Sequence, residues 1–430
     1  MCDSIVALGR HTRSGQTLFG KNSDRKAGEC QPFVQILGAE HPPDAEVDCT
    51  HISIPQVRQT WRTMGHSPWW VWGFEHGVNE HGLAIGNQAV FSREDVEEKP
   101  GLIGMDLVRL GLERSRDRLE AVDCITRLLE KHGQGGSAFA PGAAGYHNSF
   151  NIADPEGAVF LETSGRHWVA REVQLDSLSN HLCTGADWDR CSVGFDDFVR
   201  KEGYWAEPGR FDLERALRNP FIPPRLSDGR LARTRELLER AKGQLTLADV
   251  ERILRDHGEG LTTPPAEATL EDDRFFTICV HNDPPGVTTA SLVAELPRDR
   301  TAPWPVWISF GIPCSGIFFP VYLDGIVPAA ISAGGKRREE SPDSMWWRFE
   351  ALERAAARDL ERNVPRLREA WKPVEAEIEA RRQRVESEAS ALIRAGEGRG
   401  ASRRLTRFMN ETVMQLVDRL DEFERICSAS

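Results

Sequence analysis

The sequence contains no run of about 18 apolar residues, so it offers no transmembrane helix. No apolar run follows a basic start within residues 1–30 either, and no secretory leader is read there. Positive charge is in deficit, with 54 Lys and Arg against 66 Asp and Glu, a net charge of −12. That argues against nucleic acid or an anionic membrane as partner, since both call for a basic face. Paired cysteines are missing too. The nine cysteines are scattered from Cys2 to Cys427 with no C-x-x-C pair, which reads as reduced thiols in a cytoplasmic protein. There is no Gly-x-Ser-x-Gly elbow, which removes the serine-hydrolase reading. The stretch His132-Gly133-Gln134-Gly135-Gly136 lacks the lysine and Ser/Thr of a phosphate loop. His76 and His81 stand near Glu75 and Glu80, but not in the His-Glu-x-x-His spacing, so no metal and no cofactor are expected. Cys314, in the apolar setting of Phe310 and Ile317-Phe318-Phe319, reads as a buried inert thiol. No internal repeat is visible.

What is present is ample core material. Of 430 residues, 40% are hydrophobic and 28% charged, enough for one large domain with an appendage, or for two domains. Ser4–Leu8 reads as a strand, Thr12–Gly15 as a turn and Thr17–Gly20 as the returning strand of a hairpin. Gly82–Val90 is another strand. The apolar spacing predicts helices over Met105–Arg116 and Leu119–His132, the second stopped by Gly133, Gly135 and Gly136. A hairpin turns at Asp154-Pro155-Glu156-Gly157. After Asn180 the chain is helical and loop-like to Asp256, and strands are expected at Thr277–His281, Thr289–Leu296 and Val306–Ser309.

The tail is dense in Arg and Glu, with helix breakers read at Pro365, Pro373 and Gly396–Gly400. On its last helix Leu405, Phe408, Thr412, Leu416, Leu420 and Phe423 form a stripe that would dock on the core. Strand hairpins, then helices, then strands, then helices fit antiparallel sheets covered by helices.

Chemistry enters at Met1-Cys2. Methionine is removed before a small second residue, which would leave Cys2 with a thiol and a free α-amine. That amine has a reference pKa of about 7.7–8, so it can act as general base for its own thiol. The hairpin would bring Lys21 and Asp24 back beside this residue, a cation to favour the thiolate and a carboxylate to hold the amine. Asp24 is equally compatible with a simple turn former at a strand end. The cluster Trp69-Trp70-Val71-Trp72 reads as either core or pocket rim.

Cys2-Asp3-Ser4 followed by Gly20-Lys21-Asn22-Ser23-Asp24-Arg25 resembles the opening of the N-terminal-nucleophile cysteine dipeptidases and their secernin relatives, within the choloylglycine hydrolase-like superfamily. Similar blocks continue in order through Trp72–Val90, Gly104–Arg114, His147–Phe150, Ser179-Asn180, Val287–Ser291 and Ser344–Arg348. The resemblance implies an α+β fold, a four-layer αββα sandwich of antiparallel sheets with C-terminal helices. Residues 2–335 would form the hydrolase domain and 336–430 a helical segment packed on it.

For the site, the resemblance implies Cys2 as nucleophile with Lys21 and Asp24 beside it, Asn87 and Asn180 as oxyanion donors, and Arg233 as a late arginine. Superfamily acylases carry arginine where Lys21 stands, so Lys21 favours the dipeptidase branch. The implied activity is hydrolysis of dipeptide amide bonds through a thioester, on a small peptide or amide substrate. A homo-oligomer stays open. The alternatives are a secernin-like regulator or adaptor without catalysis, and an N-acyl amide hydrolase.

Overall fold

The computed structural model describes residues 1–284, 286–299, 301–335 and 339–428 of the chain. Strand β1 (Cys2–Ala7) returns as β2 (Thr17–Arg25), with Cys2 opposite Ser23 and Ser4 opposite Lys21. Next come β3 (Phe33–Ile36), β4 (Thr63–His66), β5 (His76–Asn79) and β6 (Ala84–Val90), then helices α1 (Gly104–Arg114) and α2 (Arg118–His132). They are followed by β7 (His147–Asp154), β8 (Gly157–Ser164), β9 (His167–Val173), β10 (Leu175–Leu178) and β11 (Arg190–Cys191). Helices α3 (Asp228–Arg240) and α4 (Leu247–Leu254) lead to β12 (Val287–Leu296), β13 (Val306–Phe310) and β14 (Phe319–Val321). Helices α5 (Met345–Ala356), α6 (Leu360–Arg394) and α7 (Gly398–Ser428) come last, and shorter elements fill the connections.

These strands form two antiparallel sheets, in the orders β10-β1-β2-β12-β13-β14 and β11-β9-β8-β7-β6-β5-β4-β3. Alternation along each strand decides what each face meets. Val6 and Phe19 enter a core shared with Val78, Ala84 and Phe160 of the second sheet. Ile5, Ala7 and Leu18, on the other face, pack on Leu238 of α3 and on Val250, Ile253 and Leu254 of α4. The second sheet likewise turns Ile85, Phe150 and Leu161 toward Leu107 of α1 and toward Ile125 and Leu129 of α2. The layers therefore run helix, sheet, sheet, helix, the four-layer αββα sandwich implied above.

Local chemistry sets the element ends. Asp117 caps α2 by accepting from the N–H groups of Leu119 and Glu120, and Gly133, at φ 73°, ends it. At the other end of the chain, Leu405, Phe408, Thr412, Leu416, Leu420 and Phe423 are all buried. The five apolar ones share one core with α5, α6 and the β12–β14 strands, and Phe423 meets Trp371 edge-on at 4.6 Å. Among the described residues no helix is long and apolar enough to cross a membrane.

Two local expectations need correction. Pro365 and Pro373 do not break a helix; both lie inside α6. Each removes a backbone donor and costs about 3 kcal/mol in a helix interior. Burial of Leu367, Trp371, Val374 and Ile378 along the same helix offsets that cost. Thr277–His281 is not a strand, because its backbone is bonded elsewhere. Cys279 N–H donates to Asp256 O at 3.1 Å, Val280 N–H donates to Thr288 Oγ1 at 3.0 Å, and Ile278 O accepts from Asn22 Nδ2 at 3.0 Å. Residues 167–178, by contrast, form two strands that the sequence pattern did not disclose.

Candidate active site

The β1–β2 hairpin carries polar groups on both faces, and the two faces hold different chemistry. On the inner face, between the sheets, Cys2 Sγ lies 3.7 Å from Lys21 Nζ. Lys21 Nζ is 3.3 Å from Glu75 Oε2, and the other oxygen of Glu75 takes Arg25 Nη1 at 3.3 Å. Arg25 also pairs with Glu29 at 2.7 Å. All of these side chains are buried. Lys21 passes directly over Gly86 of β6: a Cβ there would sit 2.5 Å from Lys21 Cδ, so the close approach requires glycine.

Burial pushes the Cys2 thiol above its ordinary 9.0; Lys21 pulls it down, while Glu75 and Asp24 add to the rise. The thiol is therefore protonated at neutral pH and needs a base to become a nucleophile. His66 and His76 sit nearby with Nδ1 and Nε2 2.8 Å apart. Burial, reinforced by Lys21, holds both far below the usual histidine range, and they stay neutral.

On the outer face, Arg230 of α3 reaches the start of the chain. Its Nη2 donates to Asn180 Oδ1 at 2.6 Å, and its Nη1 donates to Asp3 Oδ2 and, at 3.4 Å, to Cys2 O. Asn180 Oδ1 also accepts the Cys2 N–H at 2.7 Å. Asp24 brackets Met1 through its main chain, with Met1 N to Asp24 O at 3.1 Å and Asp24 N to Met1 O at 3.0 Å. Its Oδ1 accepts from Thr288 Oγ1 at 2.7 Å. Its buried Oδ2 accepts no hydrogen bond and lies 4.0 Å from Arg230 Nη1.

Between the two faces lies a small cavity of about 60 Å³, lined among others by Met1, Cys2, Asp24, Glu75, Ala89 and Tyr146. Ligand pockets run to about 300–1,000 Å³, so with Met1 in place this one admits a few waters and no substrate. A larger cavity of about 830 Å³, walled by Trp304, Trp307, Phe318 and Ile378, shares no residue with the Cys2 site.

Cys2, Lys21, Asp24 and Asn180 thus converge, while two other sequence-derived candidates do not. Asn87 belongs to β6, where Gly86 faces Lys21. Strand alternation turns Asn87 to the opposite face, toward α1. Its Nδ2 donates to Asn148 Oδ1 at 3.0 Å and to Met105 Sδ at 3.7 Å, which uses both hydrogens. Arg233 is bound away from the site by Asp256 at 3.0 Å, Glu236 at 3.0 Å and Glu259 at 2.8 Å. The arginine that reaches the hairpin is Arg230, a turn earlier on the same helix.

Asn180 also behaves differently from expectation. Its oxygen is the acceptor for the Cys2 nitrogen, and its Nδ2 gives one hydrogen to Ala89 O at 2.9 Å. Glu75, Arg25 and Arg230 were missed in the sequence. Arg25 was legible, since it shares the i, i+2, i+4 face of β2 with Lys21; Glu75 had no signal beyond its glycine-rich block.

No family model matches the chain. Among solved structures, a mutant conjugated bile acid hydrolase from Clostridium perfringens is 13% identical with a TM-score of 0.41, covering 72% of this chain and 89% of that one. Penicillin V acylase from Agrobacterium tumefaciens is 16% identical with a TM-score of 0.43, covering 75% and 86%. The Caenorhabditis elegans ortholog of N-acylethanolamine-hydrolyzing acid amidase is 12% identical with a TM-score of 0.35, covering 68% and 92%.

Proposed function

We propose that this chain is a cysteine-dependent amide hydrolase whose nucleophile is Cys2 after removal of Met1. One observation carries the reading: a buried thiol 3.7 Å from a lysine, on a residue whose own nitrogen is anchored 2.7 Å from Asn180. Removing Met1 turns that nitrogen into the free α-amine and opens the cavity that Met1 lines. The amine takes the thiol proton, directly or through one water, and Lys21 steadies the thiolate. Sulfur attacks the amide carbon, the C–N bond breaks, and the leaving amine takes the proton back. Water then cleaves the thioester to the carboxylic acid.

Asn180 holds the α-amine through its oxygen and keeps one N–H for the oxyanion. Asp24 offers its unpartnered oxygen to the ammonium form, and Arg230 fixes Asn180. Asn87 supports the wall through Asn148 and has no place at the oxyanion.

The substrate class we favour is a dipeptide. The cavity rim combines the exposed Lys26, which suits a free carboxylate, with the Phe139 and Tyr146 rings, packed 4.8 Å apart, which suit an apolar side chain. The test is intact-mass measurement of the N-terminus together with a panel of dipeptides and N-acyl amino acids. We expect chains beginning at Cys2 that cleave dipeptides. Preference for N-acyl amino acids would change the substrate class. A processed chain that cleaves nothing would favour a regulator or adaptor, and full activity with Met1 retained would end the mechanism.

A further inference from the structure

We propose that His257, Cys279, His281 and Cys314 bind one zinc ion, at a structural site separate from Cys2 and independent of the hydrolase reading. Their ligand atoms all lie within 4.8 Å of one another. His281 Nε2 stands 3.0 Å from His257 Nε2, 3.2 Å from Cys314 Sγ and 3.6 Å from Cys279 Sγ. An imidazole nitrogen has either one proton or one lone pair, so it cannot serve three hydrogen bonds. Convergence on a common centre accounts for all three contacts at once. Tetrahedral zinc, with bonds of about 2.0–2.1 Å to nitrogen and about 2.3 Å to sulfur, sets its ligand atoms about 3.3–3.8 Å apart. The three contacts of His281 fall at that spacing or slightly inside it, and the remaining pairs lie within 4.8 Å.

The donor set agrees with the metal. Two imidazoles and two sulfurs form a borderline-soft set that suits zinc and offers nothing to calcium or magnesium. His257, Cys279 and Cys314 are buried, and His281 is half-buried. Four protein ligands leave no open position, which marks a structural site and not a catalytic one. Binding takes both imidazoles as neutral donors and releases the protons of the two thiols to solvent.

The ligands come from three separate connections: the segment after α4, the loop before β12 and the turn after β13. Ordinary bonds already bring these together, with Arg255 Nε donating to Pro313 O at 2.9 Å and Cys279 N–H to Asp256 O at 3.1 Å. Zinc would lock the same junction. Val364 of α6 packs on Cys279 and Cys314, so the C-terminal helices rest on it. Val280, between two ligands, donates to Thr288 Oγ1 at 3.0 Å, and Thr288 Oγ1 donates to Asp24 at 2.7 Å. The site therefore stands behind the support of Asp24. The reading of Cys314 as an inert thiol is replaced by that of a ligand.

Elemental analysis of the full chain, expressed with added zinc and purified under reducing conditions, tests this directly. One zinc per chain is expected, retained in Cys2→Ala and lost in Cys279→Ser and Cys314→Ser. Stripping the metal should lower the melting temperature, and zinc added back should restore it. Cobalt added to the stripped chain should give the visible absorption of a tetrahedral thiolate site. Should the serine variants fail to fold, the unsubstituted chain decides alone. A chain that carries no zinc and takes up neither zinc nor cobalt when reduced overturns the site. So does a Cys279–Cys314 disulfide in chain isolated under thiol-blocking conditions.

Discussion

The inner and outer faces of the β1–β2 hairpin use the same few residues of chain to opposite ends. Inside, Cys2, Arg25 and Glu75 border a cavity, and the charges form a run of pairs, Lys21 to Glu75 to Arg25 to Glu29, that keeps a protonated thiol beside a cation. Outside, Asp24 also reaches that cavity, whereas Asp3 lines no part of it. Asp3 is closed against Arg230, a fully buried side chain. Burial raises the Asp3 carboxyl and Arg230 counters it. The difference teaches that the reactive group and its anchor occupy consecutive residues: Cys2 faces chemistry because Asp3 faces structure.

The sharpest way to break this comparison is Cys2→Ala. Loss of the nucleophile should cut amide hydrolysis by ~10⁴-fold or more while leaving the unfolding midpoint nearly unchanged. A surviving rate would move the chemistry off the inner face. Arg230→Ala attacks the other side. It strands a buried carboxylate and should cost about 3–5 kcal/mol in denaturant unfolding, with Arg230→Lys recovering part of it. Wild-type stability in the alanine variant would deny the outer face its anchoring role.

Two asparagines sharpen the boundary. Asn180→Ala should lower kcat by about 10²–10³-fold, as expected for an oxyanion donor. Asn87→Ala should spare kcat and cost about 1–3 kcal/mol of stability, because Asn148 loses its donor. Equal effects on kcat would erase the distinction drawn from strand alternation.

A further effect is on pH. His66 and His76 titrate well below the ordinary 6.5 in the folded chain. The unfolded chain therefore takes up protons first as pH falls, and stability should drop below pH 6.5. The slope is at most about 1.4 kcal/mol per pH unit for each histidine. Unfolding curves from pH 7 to 5 should show it, and His76→Gln should reduce it.

Much of the sandwich was legible because its signals are local. Apolar alternation marked β1, β2 and β6, helical spacing marked α1 and α2, and Asp154-Pro155-Glu156-Gly157 marked a hairpin. α6 was not, since two prolines argue locally for a break while the buried Trp371, bonded through Nε1 to Ser315 O at 2.9 Å, argues otherwise only once the core is assembled. In the site, Cys2 was marked by its place after Met1 and by the family resemblance, and the hairpin spacing gave the reason for Lys21 to stand beside it. Whether Asn87 faces the thiol or α1 was not, because shifting the assignment by one residue reverses every side chain on a strand.

What the sequence determined by itself was therefore whatever depends on near neighbours: a cysteine at the second position, a returning strand that carries Lys21 and Asp24 beside it, and the elements with regular apolar spacing, β1, β2, β6, α1 and α2 among them. Only the tertiary structure chose Arg230 over Arg233, joined Glu75 to Lys21 and Arg25, and brought His257, Cys279, His281 and Cys314 together across 57 residues of chain. The reason is physical. Period and turn chemistry act over a few residues, whereas the pairing of a buried charge depends on which distant side chain the closed layers leave within reach.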